Sequence, residues 1–393
     1  MEKSITAERR RVALISSSYA PHFGGVEEHV RQVAVELQRD AYQVEVWTAD
    51  RGEPIGTRDV DGVTVRYLPT PLPARTIRAG TDFARRFPGA WRRWTTAYRQ
   101  FRPHVLHVHC FGPNGLYAAA LERRTRVPLI VTSHGETFMD DHGVFQRSAL
   151  LRRGLRWAIA RACAVTAPSK YVLEDLRESY GLANGTVVPN GVVALSLPAQ
   201  RAATAWGDGG AFLLGVGRLG AMKGFDLLIE AYAIADLDPS VHLVIGGDGP
   251  ERERLQELID HRGLAGRVEL VGRLTPSAVA NAMSDALAVV VPSRVEAFGI
   301  VALEAWRSGA PLVMTNRGGA TGFVRDGVDG ILFNPENSQE FARVLARVSS
   351  DEVLRARLAA AGKQRVGEFT WAYVAQAYEA LYDAALDAKA RRI

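Results

Sequence analysis

Short apolar runs rich in Val, Ile, Leu and Ala recur along the chain, and most lead through a small-residue loop into a segment with apolar residues at helical spacing. Runs that stay apolar, without alternation, suit strands buried on both faces. Their alternation with helices predicts α/β domains built on parallel sheets. Val12–Ser17 is the first such strand, followed by Gly24-Gly25 and a helix with Val26, Val30, Val33 and Leu37 on one stripe. Further strands are predicted at Gln43–Trp47, Val63–Leu68, His104–His109, Pro128–Ser133 and Ala164–Ala167, with another ending in Pro189-Asn190-Gly191. Residues 195–210, with Ala, Gly and Pro198, read as a linker. The pattern then repeats: AFLLGVG, Val241–Ile245, Val268–Val271, Ala286–Val291 and Pro311–Met314 are strands that end in loops. A tail helix carries Trp371, Val374, Tyr378 and Leu381 on one face.

One segment departs from this rhythm. Between residues 75 and 102 stand eight arginines (75, 78, 85, 86, 92, 93, 99 and 102) against one acid, Asp82, with Trp91, Trp94, Tyr98 and Phe101 at helical spacing. Either the aromatic stripe packs on a sheet while the arginines face water, or the helix rests on anionic lipid. The charge of the whole chain leans the same way. Through residue 196, 27 Lys and Arg face 19 Asp and Glu; afterwards 21 face 24. The first half therefore favours an acidic partner or a negatively charged surface, unless the arginines only reflect genome composition.

At 393 residues, 47% hydrophobic and 23% charged, the chain suits two folded domains and needs no disordered stretch. The apolar run Val12 to Ile15 is too short for a signal sequence and no run reaches membrane-spanning length. A cytoplasmic protein is expected, with possible peripheral contact at the inner membrane face through residues 75–102. No nucleic-acid partner is expected. Cys110 and Cys163 have no metal or redox spacing and read as small packing residues.

The chemistry concentrates in PSRVEAFGIVALEAWRSG, residues 292–309. A strand runs into a loop, Gly299 allows close approach of a ligand, and a helix from Ile300 to Arg307 closes on Gly309. Its unpaired N–H groups and positive dipole end make an anion site. Glu296 and Glu304 flank that site and would repel an anion, so they suit hydroxyls: a ligand with phosphate in the middle and polyol at both ends. The plainer reading makes Glu296 a charge favoured by the helix dipole and Glu304 a solvated helix residue. Gly24-Gly25 could likewise set backbone N–H groups against phosphate or simply form a tight turn. His109 and His134 stand at strand ends, where open α/β sheets bind ligands. A zinc reading of His104, His107 and His109 lacks a nearby Cys, Asp or Glu, so no metal is expected. Gly215, Gly217 and Gly220 satisfy the dinucleotide fingerprint, which keeps an NAD(P) oxidoreductase as the alternative. Arg218 and Lys223 weigh against it, because fixed cations suit a departing diphosphate better. Asp59-Val60-Asp61 and Asp236-Leu237-Asp238 are placed in turns rather than at a metal site.

Glu296 and Glu304 with seven residues between them, Phe-Gly after the first and Ala after the second, resemble the signature of the retaining family 4 glycosyltransferases. The resemblance implies the GT-B fold: two Rossmann-like, doubly wound parallel-sheet α/β domains facing across a cleft. They would be residues 1–196 on the acceptor side, joined by the crossing helix 370–393, and 210–369 on the donor side. It implies a hexose-type sugar moved from a nucleoside-diphosphate sugar, with UDP or GDP as carrier, to an unknown acceptor. Configuration is retained, and no metal or cofactor takes part. By resemblance Glu304 holds the ribose, and Glu296 and His134 lie against the donor sugar. Phe298, Gly299 and Ile300 offer backbone N–H groups, and Arg218 and Lys223 take the diphosphate. Gly24-Gly25 close over that diphosphate, while Arg273 and Leu274 lie near the base. Where the family commonly has Glu, this chain has Gly322.

Overall fold

The computed structural model describes residues 9–391 except 23, 41, 74–76, 141–142 and 194–209. The predicted linker except Gly210, Arg75 and the first eight residues therefore lie outside the described residues. The chain divides into two compact units, Met1–Pro189 with Trp371–Ile393, and Asn190–Thr370. The boundary thus falls at 189/190, inside what the sequence assigns to the first domain.

The first unit runs β1 (Arg11–Ser16), α1 (Gly25–Arg39), β2 (Gln43–Ala49), β3 (Gly56–Val60), β4 (Val63–Leu68), α2 (Ile77–Phe101) and β5 (Val105–His109). It continues with α3 (Pro113–Thr125), β6 (Leu129–Thr132), α4 (Val144–Arg147), α5 (Ala149–Arg161), β7 (Ala164–Ala167), α6 (Lys170–Tyr180) and β8 (Thr186–Val187). Among the described residues the sheet order is β3-β4-β2-β1-β5-β6-β7-β8, parallel except for the β3–β4 hairpin. That hairpin corrects the turn assignment of Asp59-Val60-Asp61. Asp59 and Val60 lie on β3, and only Asp61, at φ 53°, turns the chain.

The second unit runs β9 (Phe212–Val216), α7 (Phe225–Ile234), β10 (His242–Gly246), α8 (Arg252–His261), β11 (Val268–Gly272) and α9 (Pro276–Asp285). It continues with β12 (Ala288–Val291), α10 (Ile300–Ser308), β13 (Leu312–Thr315), β14 (Ile331–Phe333), α11 (Ser338–Ser350) and α12 (Glu352–Arg365). Its sheet, β11-β10-β9-β12-β13-β14, is parallel throughout. The central strands are buried along their length, as their unbroken apolar runs require.

The last helix, α13 (Trp371–Ala390), packs on α1 in the first unit. Trp371, Val374, Tyr378 and Tyr382 join the core that holds Val12, Leu14, Val30 and Val33. Packing on the sheet accounts for only part of the arginine-rich helix α2. In its C-terminal half Trp94 is fully buried, donates from its indole to the Pro69 carbonyl at 3.0 Å, and packs edge-on to Trp47. In its N-terminal half Phe87 is 38% exposed. Both cysteines are free thiols; Cys110 is half-buried, whereas Cys163 is exposed and is not the packing residue the sequence suggests.

Candidate active site

Each sheet reverses its winding once, between β1 and β5 in the first unit and between β9 and β12 in the second. Open α/β sheets bind ligands at such switch points, beyond the carboxyl ends of the strands. The helices after these four strands share a feature. α1, α3, α7 and α10 start after Gly24, Gly112, Gly224 and Gly299, and no side chain caps them. α6, α9, α11 and α12 are capped by Ser169, Thr275, Asn337 and Asp351. The first N–H groups of a helix have no partner within it, so an uncapped start leaves donors and a positive dipole end for a ligand.

In the second unit the loop after β12 is stapled to the loop after β9. The Lys223 ammonium donates to Glu296 Oε2 at 2.7 Å, and Ser293 Oγ donates to the same oxygen at 2.9 Å. Glu296 is 4% exposed, and its backbone is held as well: its N–H donates to the Arg317 carbonyl and its carbonyl accepts from Gly319. Arg294 makes a two-pronged pair with Asp226 in the first turn of α7, at 2.8 and 2.6 Å. Burial pushes the Asp226 carboxyl up, but the Arg294 guanidinium outweighs it and holds the group below its usual range. Two glycines make the close approach possible. A Cβ on Gly224, at φ 67°, would stand 2.2 Å from the Pro292 carbonyl oxygen, and one on Gly299, at φ 92°, 2.6 Å from the Met314 methyl.

The other predicted donor-side residues lie around this staple or beside it. Ile300 opens α10, and Glu304 is half-buried in its second turn. The Phe298 ring is 2% exposed and stacks on Phe323 at 4.3 Å, so only its backbone can meet a ligand. Arg218 is exposed in the β9–α7 loop. The exposed Arg273 guanidinium lies 3.6 Å from Asp248, and Leu274 packs over Gly246 at the end of β10. Gly322 ends a short 3-10 turn, with open space where a side chain would point.

In the first unit Gly24 has extended backbone and Gly25 begins α1. His109 Nδ1 and His134 Nε2 are hydrogen-bonded at 3.3 Å, and His109 Nε2 is buried without a hydrogen-bond partner. His107 bonds Tyr382 and Thr132, both at 2.7 Å, and His29 Nε2 bonds the Tyr378 hydroxyl at 3.0 Å. Burial, then the neighbouring imidazoles, holds His107, His109 and His134 well below the usual histidine range, so all three are neutral near pH 7. Glu136 fixes the His134 loop by accepting from the N–H groups of Phe111 and His134 and from Ser133 Oγ. Its own carboxyl is pushed up by burial against those bonds. The fold also corrects the search for metal ligands, which stopped at neighbours in sequence. His29, His109 and His134 bring ligand atoms within 4.8 Å of one another and could hold an ion. Hydrogen bonds to Tyr378 and between His109 and His134 already occupy one nitrogen of each ring without one.

Sequence reasoning missed His29, Glu136, Ser293, Arg294 and Asp226. His29 alone left a signal: it lies four residues before Val33, a polar residue beside the apolar stripe of α1.

Residues 23–194 match the family described as Glycosyltransferase Family 4, and residues 198–365 match Glycosyl transferases group 1. The alpha-D-kanosaminyltransferase of Streptomyces kanamyceticus is 31% identical over 295 residues, 69% of this chain and 76% of that one. The chain belongs to the family 4 and group 1 glycosyltransferases. Solved glycosyltransferase structures share its architecture. Sucrose-phosphate synthase from Thermosynechococcus elongatus superposes with a TM-score of 0.79 at 23% identity, covering 97% of this chain and all of that one. Anabaena Alr3699/HepE, in complex with UDP-glucose, gives 0.73 at 20% identity over 93% of this chain and 97% of that one. The fold of this glycosyltransferase is GT-B, with a parallel-sheet α/β unit in each half. The oxidoreductase reading of Gly215, Gly217 and Gly220 finds no support among these relatives. Among the described residues no helix is long and apolar enough to cross a membrane.

Proposed function

We propose that this glycosyltransferase moves a hexose-type sugar from a nucleoside-diphosphate sugar to an acceptor hydroxyl, with retention of configuration and without a metal. The observation that carries the reading is the Lys223–Glu296 pair set against the uncapped start of α10. Phosphate suits the N–H groups of Phe298, Gly299 and Ile300, and hydroxyls suit the carboxylates on either side. Lys223 spends one of its three donors on Glu296, which leaves two for oxygens of the diphosphate. Arg218 adds a second cation. Both grow more useful as the bond between sugar carbon and phosphate oxygen breaks, because negative charge then gathers on the leaving diphosphate.

In this reading Glu304 takes the ribose hydroxyls, Glu296 orients the donor sugar, and Arg273 and Leu274 border the base. HepE in complex with UDP-glucose makes such a donor a natural first candidate. On the first unit Gly24 and Gly25 offer N–H groups to phosphate. His109 and His134, being neutral, act as hydrogen-bonding groups for sugar hydroxyls rather than as fixed charges. The acceptor oxygen bonds to the sugar carbon on the face the diphosphate leaves, and the departing phosphate oxygen takes its proton, so no side-chain base is needed. Nucleoside diphosphate release from a panel of donors, with and without excess chelator, tests this. Release that persists in chelator is expected; release lost in chelator and restored by magnesium would sink the metal-free mechanism.

A further inference from the structure

Between α2 and α3 the first unit carries a pocket of about 230 Å³ with an almost wholly apolar surface. It is walled by Phe83, Phe87 and Trp91 of α2, Pro71 after β4, Tyr117 of α3 and Leu150 of α5. The rings form a continuous wall, with Phe87 5.2 Å from Phe83, 6.4 Å from Trp91 and 6.1 Å from Tyr117. Its rim is apolar too, since Phe87 and Leu150 are 38% and 41% exposed. Core packing explains the aromatic stripe farther along α2, where Trp94 is buried, but not here, where the same stripe opens to solvent.

The surroundings say what kind of ligand fits. α2 turns Arg85, Arg86, Arg92 and Arg93 to solvent, and the lone acid of that helix, Asp82, is shared by Arg85 and Arg86. Arg86 is close enough to act on the Tyr117 hydroxyl, which burial pushes up to about 12 against that positive charge. Exposed cations on the helix that walls a greasy slot complement an anionic head on a hydrocarbon tail. An apolar protein segment would fill the slot but bring no counter-charge to these cations, which have one acid, Asp82, among them.

We propose that this pocket binds the hydrocarbon chain of a phosphate-bearing lipid, with the α2 arginines at the level of the phosphate. This goes beyond surface attraction to anionic lipid, because it requires the chain to enter the protein. It does not depend on the glycosyl transfer proposed above.

Monomeric alkyl phosphates from butyl to octyl, titrated calorimetrically below micelle formation, test it. Each methylene that enters should tighten binding about fourfold. Ala120 lines the same pocket and is exposed, so Ala120→Trp should plug the slot without changing charge or unfolding the chain. That variant should bind octyl phosphate no better than butyl phosphate, while Arg86→Gln should weaken every member of the series and keep its slope. Vesicles of phosphatidylglycerol in phosphatidylcholine should sediment the wild type more than Ala120→Trp. An octyl phosphate that binds no tighter than butyl phosphate, or equally well in Ala120→Trp, overturns the proposal. So does octyl glucoside binding as tightly as octyl phosphate, since the arginines would then have no part.

Discussion

At the switch point of the second unit the side chains are ionic, with Lys223 on Glu296 and Arg294 on Asp226. At that of the first they are imidazoles, with His109 and His134 hydrogen-bonded and kept neutral by burial. The backbone around them is alike, for both regions start their helices on glycine without a cap. The difference teaches what kind of chemical group each switch point suits. Fixed charge suits the group whose charge changes during reaction; neutral donors and acceptors suit hydroxyls, whose charge does not.

The sharpest way to break this contrast is to remove the cation. Lys223→Ala should lower turnover about a hundredfold if charge stabilisation there is worth ~2.7 kcal/mol; wild-type turnover would take lysine out of the mechanism. Next comes the division between the two carboxylates. Glu304→Ala should weaken nucleoside diphosphate binding about tenfold or more, the scale of a lost hydrogen bond to a charged group. Glu296→Gln should keep that affinity and lose turnover. Equal losses of affinity, measured by titration calorimetry, would erase the distinction.

Acid should separate the units. His107, His109 and His134 have folded values below that of an unfolded histidine, so their contribution is complete above about pH 6.5 and shrinks as pH falls toward the folded values. Each removes at most about 1.4 kcal/mol of stability per pH unit in that window. Asp226, lowered in the fold, loses its contribution only below about pH 4. Glu136, raised in the fold, works the other way as pH falls, but in the carboxylate range. Hydrogen-exchange protection, corrected for intrinsic rates, should therefore drop in β5 before β12 between about pH 6.5 and 5.5. Parallel loss in both strands would mean the histidines are not what acid attacks. The smallest effect is expected at Gly322→Glu. The space there is open, so the fold should tolerate it, and any gain in donor affinity would identify what the missing carboxylate does.

The staple of the second unit was half legible. Gly299, the helix from Ile300 and its end at Gly309 follow from local rules of turn and cap, and the structure has them in place. The partners do not follow, because Lys223 and Glu296 are 73 positions apart and nothing local pairs them. The same limit hid the imidazole cluster: His29 comes from α1, His109 from β5 and His134 from the loop after β6. β3 was lost for another reason. Its residues Gly56–Val60 are almost wholly exposed, so no apolar pattern marks them as a strand. Cys163 shows that small size does not imply burial: just before β7, it stays exposed.

The uncapped glycine starts also forecast the result of selecting this protein for heat resistance. A serine, threonine or aspartate cap is worth only a few tenths of a kcal/mol more than glycine, but losing glycine's freedom in the unfolded chain adds about 0.4–1 kcal/mol where the backbone accepts a side chain. Such a screen would find Gly224 and Gly299 closed, since their positive φ and crowded surroundings refuse a side chain. Gly24 is open: its backbone is extended, and the one atom a Cβ would crowd is the end of the Glu27 side chain, which can swing away. Gly24→Ser is thus the substitution such a screen should enrich, and the side chain it installs would stand at the helix start proposed for the phosphate. Variants that survive heating by that route should be the ones that have stopped working.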